Sequence, residues 1–227
     1  MQFLRLLGLF SGLIFAAACP AQQNDIPDVS KGEGFVRIIP PQPTQETDKI
    51  EVIEFFWYGC PHCYRFEPLI SEWAKNLPAN VQLIRQPAIF SDKWAPGARA
   101  YFVAEALGVT DQVHADIFDA IQQSHRPLDT EDQLADFFAE HGVDRNDFHD
   151  AYNSFIVTTR MRQAESMPAR YGVTGVPAII VNGKYRSNGT LAKTYPGLIS
   201  VMDALIAQES GSVKSQSGAA ESGSASP

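Results

Sequence analysis

The sequence has no excess of positive charge. Its 227 residues include 26 acidic and 18 basic side chains, so the formal net charge is −8. The basic residues form no cluster along the chain. Because nucleic-acid-binding proteins present a basic patch to the phosphate backbone, this charge balance argues against a nucleic-acid partner.

The sequence also has little that could cross a membrane. An apolar segment over residues 6–18 follows Arg5, but it is too short, and ends too close to small residues, for a convincing membrane-spanning helix. A basic residue followed by a short apolar stretch is typical of a secretory signal. We predict that residues 1–18 are a signal peptide and that the mature protein leaves the cytosol.

Cysteine is scarce. Two of the three cysteines stand close together in the chain, and Cys19 is left over. A free thiol is a liability in an oxidising compartment. The run Ala16-Ala17-Ala18-Cys19 resembles a bacterial lipobox, in which the cysteine becomes the lipidated first residue. This resemblance predicts a lipid on Cys19 and a tether over residues 19–34. The alternative is ordinary signal-peptidase cleavage, either before Cys19 or after Ala21.

The other two cysteines form the motif Cys60-Pro61-His62-Cys63, directly after an apolar run over residues 52–59. We expect Gly59 to end a buried strand and Cys60 to open a helix. The unpaired N–H groups and the positive dipole at a helix start favour a thiolate. His62 can add a hydrogen bond or a positive charge. A stabilised thiolate makes the disulfide readily reduced, so the pattern predicts a pair that donates its disulfide to other proteins.

A metal site and an inert disulfide are the two other interpretations of the dithiol. A structural zinc site needs four ligands, and the sequence contains no second Cys/His cluster. An inert structural disulfide would gain little stability from so small a loop. We therefore predict a redox-active pair, with no metal ion and no other cofactor.

Strand and helix patterns alternate along the chain and predict an α/β protein. Strands are expected at residues 35–39 on a sheet edge, 51–56, 81–86 in parallel, and in a hairpin around Asn182-Gly183. The last helix is expected at residues 198–207, and the Gly/Ser/Ala-rich segment 210–227 is expected to be disordered. Residues 91–165 show only helical patterns, at 98–107, 112–123, 131–141 and 146–162, with a capping box at Thr130–Gln133.

Three motifs, in order, carry a resemblance to a known family: Glu54-Phe55-Phe56 ahead of Cys60-Pro61-His62-Cys63-Tyr64, the loop Gly175-Val176-Pro177-Ala178, and the hairpin Val181-Asn182-Gly183-Lys184-Tyr185. Together they resemble the DsbA family of periplasmic thiol:disulfide oxidoreductases. The resemblance implies a thioredoxin fold, residues 35–90 and 166–209, interrupted by an inserted all-helical domain, residues 91–165.

The resemblance also implies roles for the dithiol. Cys60 is the exposed sulfur that a substrate thiolate attacks, Cys63 is the thiol that leaves, and Pro61 and His62 set the redox poise. Reduced, folding secreted proteins are the implied substrates, and a membrane oxidase of the DsbB type, linked to quinone, is the implied reoxidising partner. The implied location is the periplasm, here with a lipid anchor in a bacterial membrane, and the chain is expected to be a monomer.

Two further positions are predicted to belong to the site. The resemblance implies that Val176-Pro177 forms a cis peptide bond beside the active sulfur and binds substrate, whereas sequence alone equally allows a trans proline opening an edge strand. Glu54 is a single acid in an apolar strand, and a buried carboxylate needs a partner. The resemblance implies that Glu54 assists proton transfer; the alternative is structural pairing with Arg85.

The remaining residues of chemical interest are interpreted as structural. His114, His125, His141 and His149 are predicted to lie on the surface of the inserted helices. The aromatic positions of the third and fourth of these helices, including Phe155, are predicted to form a core face.

The sequence also allows two other functions. One is a disulfide reductase or isomerase, although isomerases of the DsbC type carry an N-terminal dimerisation domain for which residues 22–36 leave no room. The other is a thiol-based metal carrier or peptide-binding chaperone.

The role assigned to His62 makes a first prediction. His62→Ser removes a group that stabilises the Cys60 thiolate, so the disulfide becomes a weaker oxidant and its reduction potential becomes more negative. Equilibration with glutathione measures this potential. An unchanged value would refute the role of the histidine.

Overall fold

A computed structural model of the protein describes residues 26–222, with side chains up to residue 211. The predicted signal peptide and Cys19 lie outside the described residues. Within the part described, no helix is long and apolar enough to span a bilayer.

A five-stranded mixed sheet forms the centre of the fold. Its strands are β1 Val36–Arg37, β2 Ile50–Phe56, β3 Val81–Pro87, β4 Ala178–Val181 and β5 Tyr185–Asn188, in the spatial order β1-β5-β4-β2-β3. β3 runs parallel to β2, and the other pairs are antiparallel. All seven residues of β2 are buried. The predicted edge strand, parallel strand and hairpin are thus confirmed.

Asn182 and Gly183 form the hairpin turn. Both have positive φ, 51° and 64°, and the Lys184 N–H donates to the Val181 carbonyl at 3.0 Å. Positive φ at both central residues is the type I′ geometry, which matches the twist of the strands.

In the described part of the chain, seven helices surround the sheet: α1 Pro61–Ala74, α2 Ala95–Leu107, α3 Thr110–Gln122, α4 Glu131–Glu140, α5 Arg145–Tyr152, α6 Phe155–Arg170 and α7 Tyr195–Ser222. Short 3-10 turns occur at Val29–Lys31 and Asp92–Trp94. α1 and α7 share a core with one face of the sheet. Helices α2–α6 bury a separate cluster that reaches the dithiol. This arrangement confirms the predicted α/β architecture with a helical insertion.

The prediction of a single helix over residues 146–162 is wrong: the structure has two helices there, α5 and α6. Asn153 ends α5, with its side-chain amide donating to the His149 carbonyl at 3.0 Å, and the Ser154 hydroxyl accepts the Val157 N–H at 3.2 Å. Asn and Ser are well suited to helix ends because they replace missing backbone hydrogen bonds. Phe155 therefore starts a new helix and is 80% exposed rather than part of the core.

The last helix is longer than predicted. The sequence predicts it over residues 198–207 and a disordered tail from Ser210, whereas α7 extends to Ser222. The buried side chains Leu198, Val201, Met202 and Leu205 anchor its first half against the sheet. Once such a segment is formed, each further residue adds a hydrogen bond without a new nucleation cost.

Candidate active site

The dithiol lies where β2 ends and α1 begins. Cys60 occupies the N-cap position of α1 with an extended backbone, Pro61 is the first helical residue, and Cys63 lies in the first turn. Pro is favoured at this position because its missing N–H would have no partner there. Cys60 was expected to be exposed, but only 7% of it is accessible, against 1% of Cys63. Cys60 is nevertheless the sulfur nearer to solvent.

The two thiols have opposite acidities. A hydrogen bond from the Cys63 thiol, the backbone N–H groups of Cys63 and His62, and the charge of His62 lower the pKa of Cys60 to about 6, against the opposing effect of burial. Burial, followed by the hydrogen bond to Cys60, raises the pKa of Cys63 well above its usual value. At neutral pH Cys60 is therefore mainly a thiolate, while Cys63 keeps its proton.

The loop before β4 lies beside Cys60. The Val176–Pro177 peptide bond is cis, as predicted, and the Cys60 thiol lies 3.5 Å from the Val176 carbonyl oxygen. The structure thus brings together Cys60, Cys63 and the proline loop, which are more than 110 residues apart in sequence. A peptide bound along this loop would meet the reactive sulfur.

His62 has two partners that the sequence analysis missed. Its Nδ1 lies 2.9 Å from Nη2 of Arg65 and 3.0 Å from the Tyr195 hydroxyl. Because a guanidinium can only donate, Nδ1 can accept from Arg65 only while the imidazole is neutral. Arg65 could have been found from its i+3 helical spacing. Tyr195, at the start of α7, carries no local signal.

Glu54 is buried and belongs to a charged cluster. It is 1% exposed, and its Oε2 lies 3.5 Å from Nε of Arg85, the residue that pairs with it on β3. Nη2 of Arg85 also donates to Glu67 of α1 at 2.9 Å. The alternative of pairing with Arg85 is thus present in the structure. Burial and the charge of Glu67 nevertheless raise the pKa of Glu54 to about 8, although Arg85 opposes this.

The prediction that His114 lies on the surface is wrong. His114 is 5% exposed, its Nδ1 accepts from the Tyr58 hydroxyl at 2.6 Å, and its Nε2 lies 3.2 Å from Glu67. The burial of the ring lowers its pKa. Its spacing from the buried Ile117 and Phe118 on α3 is a helical-face signal that could have indicated this. His114 thus connects α3 to Tyr58, just before Cys60, and to Glu67, one helical turn after Cys63.

A dithiol at a helix N-terminus, a cis-proline loop beside it and this mixed sheet define a thiol:disulfide oxidoreductase of the thioredoxin fold. Residues 83–195 match the model of the DSBA-like thioredoxin domain. The thiol:disulfide interchange protein DsbA of Pseudomonas aeruginosa is 41% identical over 187 residues, which cover 82% of this chain and 89% of the relative. The corresponding protein of Azotobacter vinelandii is 40% identical, covering 86% and 92%. The chain belongs to the DsbA family.

Solved structures agree with this assignment. The crystal structure of Pseudomonas aeruginosa DsbA matches with a TM-score of 0.77 and 41% identity, over 81% of this chain and 95% of that chain. The oxidoreductase DsbA from Xylella fastidiosa matches with a TM-score of 0.75 and 33% identity, over 82% and 99%. The thioredoxin-like fold with its helical insertion is therefore shared with these proteins.

The acidity of Cys60 predicts a pH dependence for the reduced protein. Its pKa is about 6 in the folded state and 9.0 for an unperturbed thiol. Between these values the unfolded chain binds more protons, so the free energy of unfolding should rise with pH from about 6 to 9 and lose this contribution as pH falls through 6. Denaturant unfolding at several pH values measures this.

The matched control is Cys60→Ala, also reduced, because it removes the titrating thiol and leaves the rest of the cluster. The ultraviolet absorbance of the Cys60 thiolate should have its midpoint near pH 6. The difference in the free energy of unfolding between the two proteins should begin to rise there and level off near pH 9. A midpoint near 9 would contradict the assignment.

Proposed function

We propose that this protein donates the Cys60–Cys63 disulfide to reduced, folding proteins. The observation that carries the proposal is the pair of opposite acidities: a thiolate-forming Cys60 beside the Val176 carbonyl, and a buried Cys63 that keeps its proton. A disulfide whose reduced form is stabilised in this way is a strong oxidant.

The proposed reaction has two exchanges. A substrate thiolate attacks Sγ of Cys60, forms a mixed disulfide and breaks the Cys60–Cys63 bond, so that Cys63 leaves as a thiolate and takes up a proton. A second substrate thiolate then attacks the substrate sulfur of the mixed disulfide and expels Cys60 as a thiolate. The substrate gains a disulfide and the protein ends with two thiols.

Glu54 is proposed to assist the first exchange. Its carboxyl group, when ionised, raises the pKa of Cys63. Its own pKa of about 8 means that Glu54 carries a proton at neutral pH. A protonated acid in this buried position can supply the proton that the leaving sulfur needs. His62 and Pro61 are proposed to set the potential, since the His62 backbone and charge both lower the pKa of Cys60.

The surroundings of the reaction are also proposed. The protein acts in the periplasm as a monomer, attached to a membrane by a lipid on Cys19, and a DsbB-type quinone-linked membrane oxidase restores its disulfide. Support comes from the family membership together with the signal-like N-terminus. Mass spectrometry of the mature N-terminus would test the lipid.

The test of the proposed function is the oxidation of a reduced, unfolded protein by the purified, oxidised chain. Disulfide formation should be stoichiometric with the protein and absent with Cys60→Ser. Equilibration with glutathione separates the alternatives, because a strongly oxidising potential supports a donor and a strongly reducing one a reductase. Binding of zinc or copper by the reduced protein, without peptide oxidation, would instead support a metal carrier.

A further inference from the structure

A groove runs along the cis-proline loop, and one of its ends lies near the dithiol. It has a volume of about 760 Å³. Its walls are the loop 173–178 on one side, residues of β5 and the following turn on the other, and His62 and Tyr195 at the end near Cys60. This is where an extended substrate segment would lie under the proposed function.

The charges lining this groove all have one sign. Arg186 and Lys193 line it together with His62, and no Asp or Glu does. The whole chain, in contrast, has a formal charge of −8. The groove is therefore a basic region on an acidic protein, and its other polar groups are neutral, mainly threonine and asparagine side chains.

The structure holds Arg186 in place at the groove wall. Its Nη1 donates to the Tyr171 carbonyl at 3.2 Å. Gly172, at φ +63°, makes this approach possible, because a Cβ atom there would lie 2.5 Å from Nη1. No carboxylate among residues 26–211 lies within 4.0 Å of this guanidinium. A fixed cation without an acidic partner in the described chain is suited to an acidic ligand.

The sheet register sets the distance from the reactive sulfur. Asn188 pairs with Ala178, the residue after the cis-proline, and Arg186 pairs with Ile180, two residues further along the same strand. Residues two apart point to the same face of a strand and are separated by about 7 Å. An extended substrate would therefore present a side chain to Arg186 a few residues away from its reacting cysteine.

We propose that this groove selects protein substrates that carry an Asp or Glu side chain two to four residues from the reacting cysteine, through Arg186 and Lys193. The selectivity rests on the proposed oxidation of substrate thiols. Opposite charges steer the encounter and hold the substrate in register, while a basic segment is repelled. Because both cations are at least partly accessible, the effect is a moderate preference that salt screens.

The test uses dithiol peptides that differ only in one residue, Asp, Gln or Lys, placed two to four positions from the first cysteine. The oxidised protein reacts with each at low and high salt, and kcat/KM is measured. We expect the Asp peptides to react about fivefold faster than the Lys peptides at low salt, which corresponds to two exposed ion pairs. The ratio should approach one at high salt.

Three variants locate the effect. Lys193→Gln and Arg186→Gln should each reduce the Asp-to-Lys ratio by about half. Lys75→Gln is the matched control: it removes the same charge from an exposed residue at the end of α1, 68% accessible and paired with Glu72. It should keep the wild-type ratio. If Arg186→Gln is unstable, Lys193→Gln still tests the proposal. Lys193 is exposed, so its replacement should not affect folding.

The outcomes separate this inference from the proposed function. Equal rates for the Asp and Lys peptides, or the same ratio in Lys193→Gln as in Lys75→Gln, would overturn the selectivity while oxidation of the Gln peptide stands. If the Gln peptide is not oxidised at all, the proposed function fails first. A preference for Lys peptides would also overturn the inference.

Discussion

Reduced Cys63→Ser is expected to form a stable mixed disulfide with an oxidised peptide, whereas reduced Cys60→Ser forms almost none. Cys60, with a pKa of about 6, is mostly thiolate at pH 7, and it lies at the groove beside Val176. Cys63 is 1% exposed and its pKa is raised well above that of a free thiol. Only the thiolate attacks a disulfide, so the two variants should differ in rate by at least about a hundredfold.

The mixed disulfide persists in Cys63→Ser because the thiol that would resolve it is gone. Mass spectrometry after acid quenching measures the adduct. Neither variant can hold the internal disulfide, so both should lose the oxidation of reduced proteins. This shared loss makes the adduct, and not the loss of activity, the informative measurement. Equal adduct formation in both variants would mean that the assignment of the attacking sulfur is incorrect.

Arg85→Ala is expected to destabilise the protein by about 3 kcal/mol, because it leaves a buried carboxylate without its cation. Arg85 contacts both Glu54 and Glu67, whose side chains are 1% and 9% exposed. Arg85 itself is 17% exposed. At neutral pH its cation is thus the counter-charge of Glu67, an acid that water hardly reaches and whose pKa is lowered, while Glu54 is protonated. Urea unfolding of the reduced protein at neutral pH measures the loss.

The matched control is Arg126→Ala. Arg126 also pairs with a glutamate, Glu140, through two hydrogen bonds, but the two side chains are 31% and 57% exposed. Exposed pairs contribute roughly 0–1 kcal/mol, so this variant should lose little. If the two substitutions cost the same, the buried cluster does not depend on the charge of Arg85.

Arg85→Ala should also change the site. With the cation removed, both carboxyl groups bind protons more readily, because Arg85 lowers the pKa of Glu54 and of Glu67. Part of the lost stability should therefore return as pH is lowered and Glu67, the acid that is ionised at neutral pH, takes up a proton. If Arg85→Ala lowered the free energy of unfolding equally at all pH values, the cause would be lost packing and not lost charge.

Local patterns in the sequence determined much of this protein. The position of the dithiol at a strand-to-helix junction, the parallel strand after α1, the Asn182-Gly183 hairpin and the capping box at Thr130 each depend on neighbouring residues, and each is present in the structure. The cis bond at Pro177 was predicted only through the family resemblance, since sequence alone left both isomers open.

Tertiary structure alone decided which groups meet. His114 reaches Tyr58 across 56 residues of sequence, and Tyr195 reaches His62 across 133. A helical or strand period indicates which face of an element is buried, but not which element covers that face. The protonation states of Glu54 and Cys63 depend on such contacts and on burial, because both act through space over a few ångströms. The sequence therefore determined the reactive pair and the neighbours that lower the pKa of Cys60. The packing of distant elements determined the groove and the burial that raises the pKa of Cys63 and of Glu54.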